Sequence, residues 1–251
     1  MRPEKILLIF AALLASYGLG LVTASYLEQP LQPSVILRQL PTAEKYEASV
    51  DIVAVRQTGQ IGVVSKAVAE IVEGKGRVLF SLNPFVEPDT QQSAETAASV
   101  AQNFTGKSLA DRDVIYSIEE IEAKLVGGPS AGAALTLATI AAIEEKQVKE
   151  EVAITGTILP DGSIGQIGGL VEKAGAVAEQ GKTLFLVPEG QGTLNYYERV
   201  VEEEKRGFFT IQRVKYVPKK IDLNEFAEEQ GWNLEIMEVS NISQATAIML
   251  E

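Results

Sequence analysis

Apolar positions recur with two different periods from Ser49 onward, and ahead of them lies a stretch with no polar face at all. Ile6 to Leu27 is an uncharged run of 22 residues, preceded by Arg2 and Lys5 and closed by Glu28. As a helix rising 1.5 Å per residue it would span roughly 33 Å, enough for a hydrocarbon core of about 30 Å. The pattern predicts a transmembrane anchor, and its positive flank predicts a cytoplasmic N-terminus with the rest of the chain outside. Val22-Thr23-Ala24 before Ser25 places small residues at cleavage positions, so secretion after removal of a signal peptide is the alternative. Residues 28–48, with Pro30, Pro33 and Pro41, read as a linker, and residues 49–251 as one domain.

Within that domain, Val50 to Val55 and Ile61 to Val72 are rich in Val and Ile and predict strands. Gly74-Lys75-Gly76 predicts a turn that folds Arg77 to Leu82 back as a β-hairpin. Pro88-Asp89 opens a helix over Thr90 to Asn103 with Asp89 as N-cap. Strands are expected at Asp113 to Ile118 and Glu122 to Val126, a helix over Ser130 to Glu145, and a strand over Val152 to Thr155. A helix from Leu170 to Gln180 ends at Gly181, and Thr183 to Val187 reads as a buried strand. Beyond Gly190 the expectation is a helix at Tyr196 to Glu204, a strand at Phe208 to Val214 and a helix at Leu223 to Glu229. A strand at Leu234 to Val239 and a short terminal helix follow. The class is mixed α+β.

Composition narrows the chemistry. A net charge of -12 argues against a nucleic-acid partner, because phosphate binding needs concentrated positive charge. The sequence has no cysteine and no histidine. Thiol nucleophiles, Cys-containing metal sites, the Ser-His-Asp triad and the HExxH zinc site are therefore all excluded. Gly106-Lys107-Ser108 has the ending of a phosphate-binding loop, but Ala101 stands where that loop needs its first glycine, so no ATPase signature is present. Asn103 and Asn241 begin glycosylation sequons, which matter only for an exported domain.

Two stretches carry candidate chemistry. Gly127-Gly128-Pro129-Ser130-Ala131-Gly132 delivers a serine to the start of an apolar helix, where backbone N–H groups lack intrahelical partners. Such a place suits a nucleophile and an oxyanion hole, although a serine N-cap on an ordinary glycine loop would look the same. Thr155-Gly156-Thr157 leads on to Ile167-Gly168-Gly169-Leu170-Val171-Glu172-Lys173. Lys173 falls in the first turn of a helix, where the dipole opposes a cation and, with desolvation, lowers the lysine pKa. A fall of about three units costs roughly 4 kcal/mol and yields a neutral amine able to act as a base. A snorkelling surface lysine is the alternative there.

Together these two boxes resemble the Lon-type serine peptidases, in particular their ATPase-free, membrane-anchored or exported archaeal-like relatives. Ser130 and Lys173 lie 43 residues apart, as the two residues of that family's Ser–Lys dyad do. The resemblance implies the Lon-type α+β proteolytic domain and an ATP-independent serine endopeptidase that needs no cofactor or metal and acts on unfolded or flexible polypeptide. It implies Ser130 as nucleophile, Lys173 as general base and Thr155 as support for the amine, with the backbone at Gly128, Pro129 and Ser130 forming the oxyanion hole. A ring-like homo-oligomer is a further family expectation. ATP-dependent members often carry an acid three residues before the serine; Gly127 stands there instead. Gln191 to Asp222 have no clear counterpart in the family's familiar domain. A Ser–Lys amidase, which needs a second serine between the dyad members, and an inactive membrane-tethered scaffold are the alternatives.

Overall fold

The computed structural model describes residues 45–56, 61–81, 84–119, 125–206 and 209–251. The expected anchor over Ile6 to Leu27 and most of the linker lie outside them. Among the described residues no helix is long and apolar enough to cross a membrane.

Alternating apolar residues form two long antiparallel strands, β1 (Tyr46–Arg56) and β2 (Ile61–Glu73), paired over the whole of β1. β1 thus starts three residues before Ser49. The sheet continues with β5 (Arg112–Glu119) and β3 (Val78–Phe80), in the order β1-β2-β5-β3. The expected hairpin of β2 with β3 does not form. β5 offers β2 eight antiparallel rungs where β3 could offer three, and β3 pairs parallel to β5 on its far side. Asp113 fixes this crossover, accepting the N–H groups of Lys75 and Arg77 at 2.8 and 2.9 Å and the Arg77 guanidinium.

Short β4 (Phe85–Val86) pairs with β6 (Leu125–Val126), and β8 (Thr157–Ile158) with β9 (Ile164–Gly165). A second, parallel sheet has the order β13-β10-β7, from β7 (Val152–Ile154), β10 (Leu184–Pro188) and β13 (Glu235–Val239). The strand expected from Glu122 is described only at Leu125–Val126.

Five helices complete the described domain. α1 (Pro88–Thr105) starts with proline at its first position, where a missing N–H costs nothing, so Asp89 is the second helical residue and not the N-cap. It ends at Gly106, whose φ of 66° closes the helix, and the Lys107 ammonium donates to the Ile143 carbonyl at 2.9 Å. Gly106-Lys107-Ser108 is thus a helix end. α2 (Gly132–Glu144) is apolar on every side and is buried from Gly132 to Ile143 between the first sheet and α1. Its two threonine hydroxyls donate to carbonyls one turn back, at 2.8 Å each.

α3 (Leu170–Glu179) packs across β1 and β2. α4 (Leu223–Glu229) is capped by Asp222 and α5 (Ile242–Met249) by Asn241, whose side-chain oxygen accepts from Gln244 N–H at 3.0 Å. The second sequon asparagine is therefore committed to a helix cap.

The remaining element departs most from expectation. β11 (Thr193–Arg206) and β12 (Phe209–Asp222) form a two-stranded antiparallel ribbon where a helix at Tyr196 to Glu204 was expected. The glutamate-rich run suits a helix locally, but Val201 pairs with Val214 and Glu202 with Arg213 across the ribbon. An ion pair of 2.7 Å between Lys215 and Glu202 adds to that pairing. Non-local pairing overrides local propensity here.

β2 meets α3 through Gly62, where a Cβ would collide with the Glu172 carbonyl of the helix. Gly62→Val should force the two apart, costing about 1–3 kcal/mol and lowering Tm by roughly 2–10 °C. Differential scanning calorimetry checks this; an unchanged Tm would show that α3 is not seated on β2 at this point.

Candidate active site

Ser130 sits in a single 3-10 turn, Pro129–Ala131, that runs straight into α2. It is half-buried, and its backbone is stitched to the end of β7: Gly156 N–H donates to the Ser130 carbonyl at 3.0 Å and Ala133 N–H to the Gly156 carbonyl at 3.0 Å. This ladder brings Thr155 alongside. The Thr155 hydroxyl, fully buried, donates to the Ser130 carbonyl at 3.3 Å.

Lys173 arrives from the other side, in the first turn of α3 beyond Gly169. Its Nζ donates to Ser130 Oγ at 2.9 Å and to Thr155 Oγ1 at 3.1 Å. The side chain is 3% exposed, so it is no snorkelling lysine. Burial pushes its pKa down to about 8, because the charged form has lost its water. Among the described residues no carboxylate offsets that cost through an ion pair or hydrogen bond to Nζ. The three side chains singled out from sequence thus meet at one point.

The loop before Ser130 is held by residues that sequence reasoning missed. The first turns of α1 reach across to it: Thr90 hydroxyl donates to the Gly128 carbonyl and Ser93 hydroxyl to the Pro129 carbonyl, each at 3.2 Å. Both side chains are buried, as befits hydroxyls spent on carbonyls. The only hint in the sequence is a pair of polar residues, three apart, on the alanine-lined face of α1. At Gly127 a Cβ would collide with the Glu87 carboxylate. Where the resemblance leads one to expect an acidic side chain on the loop, a glutamate from the start of α1 fills the space instead.

The backbone donors need one correction. Pro129 has no N–H and contributes only its carbonyl, already taken by Ser93. Gly128 N–H points to Asp89 Oδ1 at 3.4 Å. Ser130 N–H stands in the first turn of the helical run, where N–H groups lack intrahelical acceptors. Ser163, the serine lying between Ser130 and Lys173 in sequence, is bound to Asp161 in a turn, so Thr155 is the hydroxyl that meets the lysine. Among the described residues no three acidic side chains converge as a metal site would require.

Comparison with known proteins bears on this arrangement. Residues 59–221, well over half of the chain, match the family described as Lon protease (S16) C-terminal proteolytic domain. The chain belongs to that family. The match to the Lon proteolytic domain runs through residues 191–221, which were expected to lack a counterpart. An archaeal Lon protease of Thermoplasma volcanium is 29% identical over 162 residues, 63% of this chain and 23% of the relative. A Lon protease of Dictyoglomus thermophilum is 31% identical over 177 residues, 65% of this chain and 21% of the relative. One from Mycoplasmopsis agalactiae is 40% identical over 120 residues, 45% of this chain and 12% of the relative. The chain thus spans less than a quarter of the length of these Lon relatives.

A lysine whose folded pKa lies below its unfolded value destabilises the fold at low pH. The penalty is complete below about pH 8 and fades as pH rises towards the unfolded value of 10.5. Lys173→Met removes it. The variant's stability gain over the parent should be larger at pH 7 than at pH 10.5 by about 3 kcal/mol. Urea unfolding at the two pH values checks this. A gain independent of pH would mean that the amine is charged in the native state.

Proposed function

We propose that this chain is a serine endopeptidase working through a Ser130–Lys173 dyad. The observation that carries the reading is a desolvated amine 2.9 Å from a serine hydroxyl, with no histidine anywhere in the chain. A neutral amine has two N–H bonds and one lone pair. Thr155, whose own proton lies on the Ser130 carbonyl, accepts one N–H and so turns the lone pair toward Ser130 Oγ. Ser130 Oγ then attacks a peptide carbonyl while its proton passes to Nζ. The ammonium returns that proton to the leaving amine, and water hydrolyses the acyl-enzyme by the same route in reverse. The Ser130 N–H, at the start of a helical run, would stabilise the oxyanion.

The substrate class that fits is unfolded or flexible polypeptide, cleaved without ATP. Residues 6–27 would anchor the domain in the membrane and the linker over residues 28–48 would hold it outside the cell, with homo-oligomers forming on the membrane plane.

Because the base is the unprotonated amine, activity should rise with pH through a single ionisation near 8. A serine-reactive phosphonate should label Ser130. Lys173→Arg keeps the charge but gives up no proton near neutral pH, so it should be as inactive as Ser130→Ala. Thr155→Val should lower turnover by about ten- to a hundredfold. Substantial turnover of an unstructured protein by Lys173→Arg would sink the dyad.

For the topology, protease shaving of intact cells should remove the domain and leave a short stub in the membrane. Protein free in the medium and starting at Ser25 would replace the anchor with a signal peptide.

A further inference from the structure

Two asparagines that head glycosylation sequons take no part in the candidate site. Asn103-Phe104-Thr105 closes α1, and Asn241-Ile242-Ser243 lies at the start of α5. Their surroundings are opposite. Asn103 comes two and a half turns after the buried Ala94, so it points away from the core. It is exposed, and among the described residues no hydrogen bond holds its side chain. Asn241 is half-buried and committed on every side. Its Oδ1 accepts from Gln244 N–H at 3.0 Å, its Nδ2 donates to Ser240 Oγ at 3.0 Å, and its backbone bridges to Ser163.

Sugar transfer needs the asparagine amide and the hydroxyl two residues on in one open stretch of surface chain, so a helical sequon has to unwind. The last turn of α1 can do so, because helix ends open at little cost. Gly106, at a φ of 66°, already ends the helix there, and Phe104 is 38% exposed. The bonds lost are local: the Thr105 hydroxyl releases the Ala101 and Gln102 carbonyls of its own helix. Unwinding the second sequon would instead pull Ile242, 3% exposed, out of the hydrophobic core. It would also break the bond from Ile242 N–H to the Gly162 carbonyl at 2.9 Å.

We propose that Asn103 carries an N-linked glycan and that Asn241 does not. This rests on the reading that the domain lies outside the cell, where a lipid-linked oligosaccharide is the sugar donor. Asn103 Nδ2 forms a bond to C1 of the first sugar, and the bond from C1 to the lipid phosphate oxygen breaks. The lipid phosphate leaves with that electron pair, and a basic group of the transferase takes one Nδ2 proton. Along α1, Asn103 is about 20 Å from Thr90, which holds the loop before Ser130. The glycan therefore stands at the far end of the helix from the candidate site, beside the exposed Phe104 ring.

Trypsin separates the two sequons, because Arg77, Lys107 and Lys220 bracket peptides 78–107 and 221–251. The full chain, isolated from the cells that naturally make it, would be digested and read by tandem mass spectrometry. Peptide 78–107 should carry a sugar mass on Asn103, and peptide 221–251 should be bare. Asn103→Gln and Thr105→Val should each lose the mass completely, and Thr105→Ser should keep it. Protease shaving of the same cells keeps two failures apart. A bare peptide 78–107 from a domain that shaving removes would overturn the glycan and leave the topology standing. A bare peptide from a domain that shaving spares would overturn both. Sugar on Asn241 would overturn the choice that the structure makes between the two sequons.

Discussion

Everything around the candidate site follows from keeping one lysine amine out of water. An amine that is 3% exposed, with its pKa held near 8, needs dry walls, a fixed stem and hydroxyls that can share its hydrogens. The fold supplies each separately. α3 carries the stem and lies on β2 at Gly62, where nothing larger fits. β7 ends at Thr155, whose hydroxyl bridges the amine and the Ser130 carbonyl. The buried helix α2 holds Ser130 at its leading end. The penalty for desolvating the lysine is carried by two hydrophobic clusters that meet around these elements.

The serine is held as firmly as the lysine, but by different means. Its loop is built of small residues, and its carbonyls are tied down individually. Thr90 takes Gly128, Ser93 takes Pro129, and Thr155 with Gly156 takes Ser130. The Ser130 N–H stands in the first turn of the helical run that follows. A loop of small residues gains a single geometry this way without bulk that would keep a polypeptide chain away. Gly127 follows the same logic, with the acid placed on α1 and the loop left slim.

Local chemistry was legible in the sequence, and long-range pairing was not. Ser130 and Lys173 stood out because glycine, proline and a first-turn lysine break local rules that stability alone would keep, and Thr155 through the resemblance to the Lon family. α2 was legible because an unbroken apolar helix has only one place to go. By contrast, Thr90 and Ser93 look like ordinary helix residues until α1 is laid against the loop. β3 was assigned to the wrong neighbour because a glycine turn suggests a hairpin, whereas β5 makes the longer ladder with β2. β11 was read as a helix because its glutamates suit one locally, and its partner lies a full strand away. Pro129 was counted with the oxyanion loop although a proline has no N–H to offer.

The central claim is that Lys173 is mostly neutral at mildly alkaline pH because the fold keeps water from it. The most direct measurement is the NMR titration of chains labelled with 13C at lysine Cε, with the Lys173 signal assigned by its loss in Lys173→Met. A midpoint near 8 is expected for this residue, well below the free-lysine value of about 10.4. A Lys173 midpoint at the free-lysine value would contradict the account.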